Sequence, residues 1–392
     1  MTLPKIIYEG SVKNVRGEEG QSPYIFEFSD RYSIFDWGQM PDVLSSKGES
    51  LAFMAWFFFD FLGKPDSWQH WQAPKELADE GLLRSLRENG VKHHALGLVD
   101  HDSKPMPFAR EILSPSRCLA VEPVDVIEPE SRTEDGKLIW DYKAYQKQPE
   151  NTLVPLEVIF RFGVPDGSSL LQRTGSADYC KTLGLSKAPK TGDTFDIPLV
   201  EYSTKLETSD RYLTYPEAQS NAGLTAEEFR SLGVLTRLIA LRLKDVFATI
   251  GVELWDGKFE FAFGKKDRNG NRSLMLVDSI GPDELRLLKG GVHLSKEALR
   301  GFYRPTAWYT GLEEAKKLAR ERGEKDWKRI CKDELKLVPP ILAPGVKQRA
   351  EMVYKGIAKA LSRQFCGQAL FPDAWELDDV VKASTPKKEK VA

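Results

Sequence analysis

The segment Leu254–Arg286, LWDGKFEFAFGKKDRNGNRSLMLVDSIGPDELR, reads as a β-hairpin with acids on one face. From Lys258 the residues alternate: Phe259, Phe261 and Phe263 point one way, Lys258, Glu260 and Ala262 the other. Asn269-Gly270 signals a tight turn. Ser273–Asp278 then forms the return strand and brings Asp278 to about the level of Glu260. Two carboxylates facing each other across a hairpin repel and cost stability. A cation compensates, and hard oxygen ligands favour Mg²⁺. Lys258 on the same face adds the last part of a nucleotide-phosphate site: a lysine, paired acids and a divalent ion. A solvated polar face on an edge hairpin accounts for the pattern equally well.

Just upstream, Thr225–Ile250 reads as the clearest helix. Thr225 and Glu228 form a capping box. Leu232, Leu235, Ile239, Leu243, Val246 and Ile250 form its apolar stripe, and Gly251 suits the residue after the C-cap. Further back, Leu153–Arg161 (LVPLEVIFR) reads as an interior strand, with Leu156, Val158 and Phe160 on one side and Glu157, Ile159 and Arg161 on the other. An arginine ending such a strand, followed by Gly163–Ser169, suits anion recognition; pairing with Glu157 on its own face is the plainer alternative. Residues 172–195 read as loop-rich with little chemistry. Pro198–Glu207 offers Ser203, Thr204 and Lys205, with Asp210 beyond.

The N-terminal 40 residues read as β-rich. Tyr8–Arg16 resembles a phosphate-covering loop less than an ordinary hairpin turn. Pro23–Ser29 is a strand running into Asp30–Asp36, where acids, a base and a hydroxyl crowd together. The apolar run Leu51–Leu62 is too short to span a bilayer and contains Asp60, so it reads as a buried helix. A second helix is expected over Lys75–Glu88, ended by Asn89-Gly90. His93 and His94 have no partner at triad spacing and read as structural. Cys118–Val126 reads as a strand between lobes, and Glu128–Asn151 as a polar inserted excursion. Helices are expected at Leu312–Arg322 and Val346–Arg363, and a disordered Lys-rich tail at Lys382–Ala392.

At 392 residues and 41% hydrophobic content the chain can bury a large core in two or three lobes. A net charge of −2 gives no bulk attraction to nucleic acid or anionic membrane. The four cysteines are scattered, without the spacing of a zinc site, as in a reducing cytosol. MTLPKIIYEG has no signal-peptide core, so a cytoplasmic location is expected.

Several ordered motifs together resemble the SAICAR synthetase family (phosphoribosylaminoimidazole-succinocarboxamide synthase). Tyr8-Glu9-Gly10-x-Val12-Lys13 resembles its nucleotide loop, and Phe28–Asp36 its F-T-D-R-x-S-A-F-D segment. Lys47-Gly48, Gly90–His93, Val154–Ser168 and Ser203–Lys205 resemble its K-G, G-x-x-N-H, V-P-x-E-x-x-x-R…G-S and S-T-K. Leu254–Phe261, Asp278 with Pro282–Arg286, and Lys296 with Arg300 resemble L-x-D-x-K-x-E-F-G, D-E…P-D-x-x-R and D-K-Q-x-x-R. The chain departs from these patterns at Ser11, Ala262 and Ser279, and carries one extra residue between Arg161 and Gly167. The insert at 128–151 and about eighty residues after Arg304 exceed compact members.

The resemblance implies an α+β fold with two lobes: an ATP-covering lobe over 1–120 and a larger metal and substrate lobe over 121–392, with extra C-terminal helices from about residue 305. It implies an ATP-dependent ligase of purine biosynthesis joining carboxyaminoimidazole ribotide (CAIR) to L-aspartate. The catalytic residues would be Lys258, Glu260 and Asp278. ATP would meet Gly10, Ser11, Lys13, Lys258, Glu260 and Asp278, and Mg²⁺ would meet Glu260 and Asp278. The other substrates would meet Arg31, Ser33, Asp36, Arg161, Ser168, Lys205, Asp210, Asp283, Arg286 and Arg300, unless Arg286 and Arg300 are surface residues. The partners are then small molecules, with no nucleic acid or membrane. Two rivals stand beside it: a ligase of the same scaffold joining a different carboxylate and amine, and a nucleotide-binding protein without ligase activity.

Overall fold

The computed structural model describes residues 3–77, 80–99, 104–106, 114–134, 137–165, 168–324 and 326–385. It is a mixed helix-and-strand fold in two compact units: Met1–Met54 with Leu96–Val121 and Arg286–Ala392, and Ala55–Ala95 with Glu122–Leu285. No helix among the described residues is long and apolar enough to cross a membrane.

In the first unit, strands β1 (Ile6–Glu9), β2 (Lys13–Arg16), β3 (Tyr24–Phe28), β4 (Ala95–Val99), β5 (Pro105–Met106) and β6 (Cys118–Val121) form a sheet in the order β1-β2-β3-β6-β4-β5. Ile25, Val99, Cys118 and Ala120 pack as one buried cluster on it. The β1–β2 turn closes through the Gly10 amide and the Lys13 carbonyl, 2.9 Å apart. A Cβ at Gly10 would meet that carbonyl at 2.7 Å, so the turn requires glycine.

The apolar run lies in the helix Lys47–Gly63 and is buried almost throughout, as its composition predicts. The helix expected over Lys75–Glu88 is a short 3₁₀ turn, Lys75–Leu77, and a helix, Glu80–Asn89. The strand expected at Cys118–Val126 ends at Val121. The insert is not shapeless: β7 (Glu130–Glu134) and β8 (Lys137–Asp141) form a two-stranded ribbon.

The sheet of the second unit is built from β9 (Thr152–Leu153), β10 (Leu156–Gly163), β11 (Thr194–Thr204), β12 (Tyr212–Leu213), β13 (Glu253–Lys266) and β14 (Arg272–Val277). Strand β10 lies between β11 and β13, the interior place its two-sided apolar pattern predicts. The helix Ala226–Thr249 packs against this sheet. Its Thr225–Glu228 capping box is formed in both directions. Thr225→Ala is expected to cost about 1 kcal/mol, read as a lower denaturant midpoint at unchanged slope. On the helix side, Phe160 stacks on Phe259 at 4.8 Å, and Tyr202 lies 5.1 Å from Phe229.

The hairpin forms as β13 and β14, with Phe259, Phe261 and Phe263 buried. Its turn is wider than the two residues expected. Strand pairing stops at Lys266 and Arg272, and the Asp267 carboxylate accepts from the amides of Asn269 and Asn271. Gly270 still supplies the positive φ, at 83°. The expected disorder of the tail is corrected in part: Lys382–Ser384 close the helix Leu377–Ser384, and residues 386–392 lie outside the described residues, as do Asp166 and Gly167 of the loop after Arg161.

Candidate active site

With the apolar side of the second unit's sheet turned to its helix, period-two alternation collects the charges on the other side. Strand register sets Glu157 of β10 opposite Ser203 of β11. Glu157 and Glu260 follow directly on the cross-strand pair Val158–Phe259. Lys258 bonds to Glu157 Oε1 and lies 3.1 Å from Glu260 Oε1. Lys205 donates to Glu260 Oε1 at 2.7 Å and sits 3.9 Å from Glu157 Oε1. Ser203 Oγ donates to Glu157 Oε2 at 3.3 Å. Glu260 is only 7% exposed, so the face is not a solvated edge.

Burial works against the charge of Lys258, but Glu260, Glu157 and Asp278 outweigh it and hold its pKa well above the ordinary lysine value. Lys205 is raised in the same way, against burial, chiefly by Glu260. Both ammonium groups therefore stay charged at neutral pH. Asp278 stands one residue beyond the β14 pairing, with φ at 67°. Backbone held in this region by a non-glycine residue is concentrated at functional sites. Its carbonyl lies 3.3 Å from His94 Nε2, and the following Ser279 Oγ donates to Glu284 Oε1 at 3.2 Å. His93, beside it, is pushed down to about 4 by burial and stays neutral.

The donor chemistry fits Mg²⁺. Both lysine contacts of Glu260 fall on Oε1, and Asp278 adds a second hard-oxygen carboxylate acting on the same lysines. No group of three or more His, Cys, Asp or Glu is arranged to hold a metal among the described residues. Mg²⁺ held by one or two carboxylates and substrate phosphates needs no such cage.

Arg161 belongs to a separate buried group. It bonds Glu201 at 2.5 Å and Asp256 at 3.3 Å, not Glu157. Its other nitrogen reaches Ser169 Oγ and Tyr212 OH. Arg173 also binds Glu201, at 2.6 Å, and lies 3.3 Å from the centre of the Tyr212 ring. Burial pushes the Glu201 carboxyl up, but Arg161 and Arg173 more than offset it and hold it below the usual range. Residues 172–195, expected to carry little chemistry, thus supply Arg173 from the short helix Leu170–Arg173. Ser168 is buried and its Oγ has no hydrogen-bond partner among the described residues, Asp210 is exposed, and Asp283 is half-buried in the turn before Leu285.

In the first unit Arg31 ties down the nucleotide-type loop, donating to the Gly10 carbonyl at 3.0 Å and Asn14 Oδ1 at 2.7 Å. Lys13 lies over the Phe26 ring at 4.4 Å, while Ser11 is exposed and Ser33 half-buried. Arg286 and Arg300 meet at one carboxylate, Glu297, which Arg304 also bonds. Burial raises Glu297, and Arg300 and Arg304 hold it below the ordinary range nonetheless. A cavity of about 790 Å³, lined by Leu86, Lys92, Glu227, Asp267 and Leu274 among others, shares no residue with the lysine–carboxylate group.

A model of the SAICAR synthetase family matches residues 6–313. The chain belongs to the SAICAR synthetase family. The family's members are ATP-dependent ligases of purine biosynthesis. A putative phosphoribosylaminoimidazole-succinocarboxamide synthase of Archaeoglobus fulgidus is 33% identical over 378 residues, spanning 95% of this chain and 97% of that protein. The synthase of Thermoplasma acidophilum is 29% identical over 320 residues, 80% of this chain and 87% of that one. Among solved structures, SAICAR-synthase from Saccharomyces cerevisiae complexed with SAICAR has a TM-score of 0.54 at 19% identity, over 94% of this chain and 96% of that one, a likeness of fold.

The sequence pattern offers Glu157 as a partner for Arg161, whereas the structure gives it to Lys258, and Glu201, Asp256 and Glu297 join as partners that the pattern does not single out. Period-two alternation already set Glu157 on the face of Arg161, and the same count along β11 sets Glu201 with Ser203. Glu297 had a weaker signal, one helical turn before Arg300.

Proposed function

We propose that the chain condenses CAIR with L-aspartate, cleaving ATP to ADP and phosphate and forming SAICAR. The observation that carries this reading is the buried pairing of Lys205 and Lys258 with Glu157 and Glu260 beside Asp278. The chemical problem is that a carboxylate is a poor electrophile. Phosphoryl transfer from ATP to the CAIR carboxylate makes an acyl phosphate, and the amine of aspartate then displaces phosphate. No enzyme nucleophile is needed. Positioning and charge neutralisation supply the acceleration.

Lys258 and Lys205, kept cationic by their carboxylate neighbours, neutralise phosphate oxygens, and Glu157 aims Lys258. Glu260 and Asp278 would hold Mg²⁺, which supplies further neutralisation of phosphate charge when bound. Gly10, Ser11 and Lys13 cover the nucleotide. Arg161, Ser168, Arg286 and Arg300 serve the ribotide phosphate and carboxylates, guanidinium matching paired oxyanions. Arg31, Ser33, Asp36, Lys205, Asp210 and Asp283 line the remaining substrate space. The N-terminal 120 residues act as the ATP-covering lobe, and the enzyme works in the cytoplasm on small molecules.

Purified protein with CAIR, L-aspartate and Mg-ATP is expected to release ADP only when all three substrates are present. Turnover with another acid but not CAIR would assign a different ligation to the scaffold. ATP binding without turnover on any acid would leave a nucleotide-binding protein.

A further inference from the structure

The segment from Asp30 to Ser46 holds Arg31, Ser33 and Asp36, and its backbone is unusual. Phe35, Asp36 and Ser46 have φ of 54°, 62° and 61°. Non-glycine residues stay in this left-handed region only where their surroundings over-determine them. Here the C-terminal part of the chain supplies those surroundings. Tyr32 OH is 2.7 Å from Tyr303 OH. The Phe35 ring lies 4.7 Å from Tyr309, and Trp37 meets Trp308 edge-on at 5.3 Å. The Leu342 amide donates to Asp42 at 2.7 Å and the Ser45 amide to Glu351 at 3.0 Å.

One contact in this set is made to the turn's own polar groups. Lys316, on the helix Ala307–Arg322, donates to the Phe35 carbonyl at 3.4 Å and lies 3.6 Å from Asp36 Oδ2. Its stem is half-buried and its ammonium sits 4.9 Å over the Trp327 ring, so it is held from the protein side. The Asp36 side chain is 87% exposed, leaving its carboxylate open to a ligand.

We propose that Lys316 is a positioning residue for the Phe35–Asp36 turn, fixing its carbonyl and carboxylate so that Ser33 and Asp36 face substrate in one geometry. The C-terminal helices then serve the reaction rather than merely enlarging the core. The inference rests on the proposed ligation only for the identity of the substrates.

The test compares Lys316→Met with Lys316→Arg in the full chain. Lys316→Met is expected to raise the KM for CAIR or L-aspartate about tenfold with kcat and the KM for ATP little changed, and Lys316→Arg to restore it. Hydrogen exchange of residues 30–46 in the free protein reads the turn without activity, and should quicken in Lys316→Met and return to normal in Lys316→Arg. Unchanged exchange and unchanged KM values in Lys316→Met would overturn the proposal, as would an arginine that rescues neither. Absence of any turnover in the wild type would defeat the ligation reading while leaving the exchange experiment to judge Lys316.

Discussion

Glu260→Gln is expected to lower kcat for CAIR-dependent ADP release by about 10²–10³ while the protein still folds. The substitution keeps volume and one acceptor oxygen but removes the charge. Glu260 accepts from both Lys205 and Lys258 on Oε1, so its amide analogue no longer balances two ammonium groups in a buried setting. It also removes one of the two carboxylates proposed for Mg²⁺. The fold survives because Lys258 keeps Glu157 and the Phe259–Phe261–Phe263 side of β13 is untouched. A cooperative melting transition, showing a folded protein, with activity lost supports the assignment. Unchanged kcat with Mg-ATP would sink it.

Glu201→Gln should produce the largest loss of stability, about 3–5 kcal/mol. Glu201 is 1% exposed and holds two guanidinium groups, Arg161 and Arg173, together with Tyr179 OH at 2.6 Å. Removing its charge leaves Asp256 as the remaining carboxylate on Arg161 and strips Arg173 of its ion pair. The pH dependence follows from the direction of the shift. The folded carboxyl is held below its ordinary value, so its stabilisation is fully present above the unfolded value of about 4.3 and is lost as pH falls through the lower folded pKa. The gap between wild type and variant should therefore be constant near neutrality and narrow in acid. Denaturant unfolding at neutral pH and in acid measures it. A loss of about 1 kcal/mol or less, the range of an exposed pair, would show that the group is not acting as a buried network.

The local features were legible where neighbours in sequence decide them. A capping box with an apolar stripe defined the helix after Thr225, because both signals lie within a few turns of one element. Alternation likewise sorted β10 and β13 into an apolar and a polar side. The hairpin turn was read too tight because Asp267 caps the loop with its own carboxylate, so strand pairing ends at Lys266. The ribbon at 130–141 reads only as a polar excursion because β7 is exposed throughout, and Leu138, Ile139 and Trp140 of β8 form an apolar run too short to show alternation. Arg173 was passed over because a single short turn of helix carries no periodicity.

By itself the sequence determined which residues share a face, and its ordered motifs placed the chain in its family. It also placed Lys258 and Glu260 on one side of one strand, since two residues of extended chain always return to the same side. Only the tertiary structure decided who pairs with whom. Setting β10 between β11 and β13 directs Glu157 to Lys258 and Arg161 to Glu201 and Asp256, partners 40 to 101 positions apart in the chain. Charge pairing depends on separations of a few ångströms in a buried setting, and strand order, which no local pattern encodes, sets those separations.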